Sequence, residues 1–101
     1  MDSSRLSFIL RMIGDEMRAA RARVRLSREA LATKSGISAK TIQRLENGDR
    51  PADVVQMFRL CEVFDLEIVE LLDRAIARAT HRGNTSHLGP RVGVSSERVH
   101  R

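Results

Sequence analysis

Between Leu26 and Gly48 the chain reads LSREALATKSGISAKTIQRLENG, and the punctuation of that stretch leaves few ways to fold it. Ser27 and Ser38 each stand where a hydroxyl can accept a free backbone N–H at a helix start. Gly36 and Gly48 each follow a helix-forming run, where a chain end often takes up a left-handed residue. Two short helices, Arg28 to about Lys34 and Ala39 to Glu46, are therefore predicted, joined by a tight turn containing Gly36. Leu31, Ile37, Ile42 and Leu45 supply apolar contacts to fix their crossing, and Ala32 is small where the helices approach most closely. The outward positions of the second helix, Ala39, Lys40, Thr41, Gln43 and Arg44, are small, polar or basic, and none is acidic. Such a face suits a polyanionic groove.

The flanking segments are helical by period. Leu6, Ile9 or Leu10, Ile13, Met17, Ala20 and Val24 recur at three- and four-residue steps, which predicts a first helix from about Ser4 or Ser7 to Arg23. Gly14 interrupts it at a cost of about 1 kcal/mol relative to Ala. Phe8 and Met12 fall off the stripe and are expected to pack elsewhere or against a partner chain. Asp49-Arg50-Pro51 is a turn, and Asp53 can cap a fourth helix from Val54 to about Phe64, with Met57, Leu60, Cys61 and Phe64 on one face. Asp65 is read as opening a fifth helix, whose Ile68, Val69, Leu71, Leu72, Ala75, Ile76 and Ala79 form a stripe wider than a small monomer needs. That surplus predicts a homodimer through about residues 66–80, with help from the first helix. The pattern stops after Thr80, so residues 1–80 are expected to form one all-α, five-helix domain and residues 81–101 a disordered basic tail.

Charge divides the chain unevenly. Residues 1–26 carry six Arg against three acids and residues 27–50 five Lys/Arg against three, whereas residues 51–80 carry three Arg against six acids. A basic front half and an acidic helical segment suggest one face for a polyanion and another for something else. With three aromatic residues, Phe8, Phe58 and Phe64, the core must be aliphatic, which favours helices over sheets. Cys61, the single cysteine, can form no internal disulfide and reads as a small core residue. No apolar run approaches the roughly 18 to 20 residues that span a bilayer, and no secretory h-region follows Met1, so a cytoplasmic protein is expected.

Two short helices about a glycine turn define a helix-turn-helix unit, and here the sequence resembles the lambda-repressor and Cro-like group, the XRE-type helix-turn-helix proteins. The resemblance covers about Ile13 to Leu72. It rests on Ile13-Gly14, Arg21, Leu26-Ser27, Leu31-Ala32, Gly36-Ile37-Ser38, Ile42, Leu45-Glu46-Asn47-Gly48, Pro51, the run from Leu60 to Leu66, and Glu70-Leu71. It implies that Ala39, Lys40, Thr41 and Arg44 face base edges in the major groove of double-stranded DNA. It implies further that Arg28, Ser38, Gln43, the Asn47 backbone and Arg50 hold phosphates or neighbouring groups, and that Arg21 and Glu46 form a structural ion pair. Chemistry independently favours Arg44, which can pair in bidentate fashion with guanine for about 1–3 kcal/mol of discrimination. The chain departs from the family at Arg28, often glutamine, and at Arg25, commonly glycine or a small polar residue. Both departures add positive charge.

No catalytic arrangement, phosphate-cradling glycine loop or metal-spaced cluster is visible, so neither an enzyme nor a cofactor is expected. His81, His87 and His100 have no second ligand at helical spacing. The expectation is a transcriptional regulator, of repressor type. The alternative is an antitoxin that autoregulates its operon while a second surface binds a toxin protein.

Overall fold

The computed structural model describes residues 1–82. They form five helices and no strand: α1 (Ser3–Arg23), α2 (Arg28–Ser35), α3 (Ala39–Glu46), α4 (Val54–Phe64) and α5 (Ile68–Arg82). The segment 83–101, on which most of the expected tail falls, lies outside the described residues.

Local chemistry sets most boundaries. Ser27 Oγ accepts from Ala30 N–H and Ser38 Oγ from Thr41 N–H, and Gly36 ends α2 in the left-handed region at φ 77°. Asp53 caps α4 reciprocally with Gln56, each side chain bonding the other's backbone N–H. The start of α1 owes its position to Asp2, which accepts from Arg5 N–H and carries the helix to Ser3. Asp65 does not open α5. It sits at φ 59° as the left-handed cap of α4, with Leu66 N–H returning to Cys61 O, and α5 begins only at Ile68 after Glu70 has accepted from Glu67 N–H. An aspartate tolerates the left-handed region better than most residues, which is why it ends one helix here rather than starting the next.

The core gathers Met17 and Ala20 of α1, Leu31 of α2, Ile37 of the turn, Ile42 and Leu45 of α3, Leu60, Cys61 and Phe64 of α4, and Leu71 of α5. Burial pushes the Cys61 thiol above its ordinary pKa, with Glu67 and Glu70 adding to the shift, so it stays a neutral packing group. The packing of α1 and α5 goes beyond the main stripe. Met12, expected to pack elsewhere than that stripe or against a partner chain, packs within the chain and is 4% exposed, and Glu16 one turn on is 2% exposed. The reason is that α5 lies against α1 and covers this second face: Arg78 of α5 donates through Nη2 and Nε to Glu16 Oε1 at 2.9 and 3.1 Å, and Arg23 donates to Glu16 Oε2 at 2.6 Å. Part of the wide α5 stripe is accordingly used within the chain, since Leu71 and Ala75 are buried, while Val69 and Ile76 remain exposed.

Candidate nucleic-acid interface

Glu46, the last residue of α3, determines how that helix is held. Its side chain is 1% exposed and receives Arg21 through two bonds, Nε to Oε2 at 2.7 Å and Nη2 to Oε1 at 3.1 Å. Arg21 Nη1 also donates to Leu26 O at 3.0 Å, so one guanidinium ties α1, the α1–α2 turn and α3 together. The hydrogen bond to Glu46 raises the Arg21 pKa further still, against the lowering effect of burial, and keeps it charged. Arg28 Nε reaches Glu46 Oε1 at 3.0 Å from the first turn of α2. A buried carboxylate with two guanidinium partners is thus the joint between both helices of the motif and the helix behind them.

Backbone approach completes the joint. Gly14 is buried, and a Cβ there would fall 2.5 Å from the Leu45 carbonyl oxygen and closer still to that of Glu46. Its helix penalty is therefore the condition for α1 to touch the C-terminal carbonyls of α3. Arg18, one turn on, donates through Nη2 to Glu46 O at 3.1 Å and to Asn47 Oδ1 at 3.3 Å. Sequence reasoning treated Gly14 as an interruption and gave Arg18 no role. The spacing Gly14, Arg18, Arg21 is one helix face in steps of four and three, and it was the available signal that all three look at the end of α3.

On the other side of α3, Lys40, Gln43 and Arg44 are exposed, and their side chains form no hydrogen bond or ion pair with another described residue. Ala39 and Thr41 are half-buried beside them. Ser38, exposed, is engaged by its own helix: its hydroxyl accepts from Thr41 N–H and donates to Thr41 Oγ1 at 3.0 Å. Arg50 is exposed in the following turn. Besides Ser38, two more of the expected phosphate holders are differently occupied. The Asn47 N–H donates to Gln43 O at 3.0 Å, because Asn47 is the C-cap of α3, so only its side chain and not its backbone donor faces outward. Arg28 has its Nε committed to Glu46, with its two Nη groups left for other partners.

Arg25, where the family commonly has glycine, adopts φ 60° in the turn before α2. The backbone explains the glycine preference, and the arginine accepts a strain of about 1–2 kcal/mol there. Its side chain is exposed and unpaired among the described residues.

An all-α domain presenting one bare, cation-rich helix, braced from behind by a buried ion pair, defines a helix-turn-helix protein. A helix-turn-helix family model matches residues 17–71, and the chain belongs to that family, the XRE-type group of DNA-binding regulators, which are not enzymes. An HTH-type transcriptional regulatory protein of Pyrococcus furiosus is 32% identical over 71 residues, 70% of this chain and 22% of that protein. The chain thus spans less than a quarter of that relative. The restriction-modification controller protein C.AhdI from Aeromonas hydrophila matches in structure with a TM-score of 0.60 and 32% identity, covering 61% of this chain and 94% of that one. Among the described residues, no helix is long and apolar enough to cross a membrane.

Proposed function

We propose that this chain is a sequence-specific transcriptional regulator, of repressor type, that reads duplex DNA with α3. The observation that carries the reading is the two-sided character of that helix: Glu46 is fixed from behind by Arg21 and Arg28, while Lys40, Gln43 and Arg44 face outward without a described partner. Residues 1–80 serve as the DNA-binding domain. In this reading Ala39, Lys40, Thr41 and Arg44 meet base edges, with Arg44 offering the strongest single contact to guanine. Gln43, the Asn47 side chain, Arg50 and the free Nη groups of Arg28 set register on the phosphates, while Ser38, whose hydroxyl proton goes to Thr41 Oγ1, holds the start of α3. The relatives support it by description, one a transcriptional regulatory protein and the other a controller protein.

One domain of this size contacts a limited stretch of DNA, so specificity requires a second copy on a half-site about 34 Å away. The apolar surface available for the homodimer is Val69 and Ile76 of α5, joined by Val54, Val55 and Phe58 of α4, the last 62% exposed. Val55 and Phe58 line one groove with Ile68 at the start of α5. The partner surface proposed for α5 therefore extends to α4. Because Leu71 and Ala75 are buried inside the chain, α1 supports that surface from beneath more than it adds to it. No described feature favours a toxin partner over a second copy.

The test is a selection from random duplexes at two salt concentrations, with Lys40→Ala/Arg44→Ala as the comparison. The full chain should select a two-fold symmetric site, and the double variant should lose selectivity while keeping salt-dependent nonspecific binding. Absence of both selection and salt-dependent binding in the unmodified chain overturns the proposal.

A further inference from the structure

The family match begins at residue 17, yet α1 starts at Ser3, so two-thirds of that helix precedes the matched region. One face of this leading part has a composition unlike the rest. Ser7, Arg11, Gly14, Arg18 and Arg21 follow one another in steps of four and three and share a single side of α1. The last three already touch Leu45, Glu46 and Asn47 at the end of α3. Ser7 and Arg11 continue the same line beyond it.

Arg11 meets the turn after α3 directly. A Cβ on Gly48 would fall 2.9 Å from Arg11 Cγ and 3.0 Å from its Cα and backbone N. Gly48 lies between Arg44 and Arg50, and Leu10 and Ile13 line a cleft with Arg50, Pro51 and Ala52. Arg11 therefore lies beside the turn that Arg44 and Arg50 flank in sequence; all three are exposed, and none is ion-paired with a described residue. Asp49 stands in the same turn, exposed, and pairs with none of them.

The other side of α1 is the reverse. There Glu16 is buried and takes both Arg23 and Arg78. Arg5 lies on that side, seven residues before Met12, away from the Ser7–Arg11 line.

We propose that the leading part of α1 is an additional DNA-backbone contact, in which Arg11 holds a phosphate and the Ser7 hydroxyl donates to the same or the next phosphate, beyond the reach of the helix-turn-helix unit. It rests on the DNA-binding reading above. The bound group is the nucleic-acid phosphodiester, sequence-independent, so the contact adds affinity and footprint without changing which bases are chosen.

Binding of the full chain to its selected duplex, measured across a salt series, tests this with three variants: Arg11→Ala, Ser7→Asp and Arg5→Ala. Arg11→Ala should lower affinity several-fold at low salt and reduce the slope of log K against log salt by about 0.9, the value for one lost phosphate contact. Ser7→Asp should weaken binding at least as much, by placing a carboxylate against the phosphate. Arg5→Ala removes the same charge from the other side and should leave the slope unchanged. Site selectivity should be the same in all. Equal effects of Arg5→Ala and Arg11→Ala would reduce the effect to net charge and overturn the proposal, as would an Arg11→Ala variant indistinguishable from the parent. If the unmodified chain itself shows no salt-dependent binding, it is the DNA-binding reading that fails.

Discussion

Two buried carboxylates, Glu16 and Glu46, each take two arginines, and they divide the molecule into regions that use cations differently. Around Glu16, Arg23 and Arg78 are both engaged, and the pairing joins residues 62 apart in sequence, α1 to α5. Around Glu46, Arg21 and Arg28 are engaged, but Lys40, Arg44, Arg50 and Arg25 close by are left without a described partner. The first arrangement holds a scaffold together. The second holds a helix in place so that its other side can carry unneutralised charge. Ion pairing inside and bare cations outside are thus complementary parts of one design for meeting a polyanion.

The Glu46 joint should be the more costly to break. Arg21 is 18% exposed and makes three bonds to Glu46 and Leu26, so Arg21→Met leaves a carboxylate that is 1% exposed with Arg28 alone and orphans a carbonyl. Removing one partner of a buried pair costs about 3 kcal/mol or more. Urea unfolding should show that loss, and the fraction still folded should bind DNA less tightly because α3 is no longer fixed against α1. A loss below about 1 kcal/mol would mean that the pair is incidental to the fold.

At Glu16 the same kind of substitution should cost less. Arg78 has a side chain 33% exposed, and Arg23 remains on the other carboxylate oxygen at 2.6 Å when it is removed. Arg78→Met is expected to destabilise by about 1 kcal/mol. It should also leave DNA affinity unchanged, since nothing on α3 depends on it. If DNA binding fell as far as in Arg21→Met, the two regions would not be separable.

The difference between these sites also accounts for what the sequence disclosed. The helix-turn-helix block was legible because its determinants are local: Ser27, Gly36 and Ser38 act within four residues of their own positions, and α3 has the bounds expected of it. The link from Arg21 to Glu46 was legible only by resemblance, being 25 residues long. Glu16 was not legible. A glutamate beside Met17 reads as the polar side of an amphipathic helix until α5 is known to cover that side and deliver Arg78. Asp65 was misassigned for a different reason. The residue type suits a helix start and a left-handed helix end alike, and only the return of Leu66 N–H to Cys61 O decides between them.

Arg25 sharpens the comparison with the smallest expected effect, because it is the bare cation that costs the fold something. At φ 60° it carries strain that glycine would not, with its N–H donating to Ala22 O at 3.0 Å to close α1. Arg25→Gly removes about 1–2 kcal/mol of strain but frees the unfolded chain by roughly 0.5–1 kcal/mol, so a net gain of about 0.5 kcal/mol is expected in urea unfolding. The side chain lies two residues before Ser27, the cap at the start of α2, where a phosphate would also meet the helix N-terminus. The same variant should therefore bind duplex DNA several-fold less tightly at low salt, with the salt slope smaller by about 0.9. A more stable protein that binds less well would show that this position keeps arginine for its charge in spite of its backbone. A more stable protein with unchanged affinity and slope would mean that Arg25 meets no phosphate and that its charge plays no part in binding.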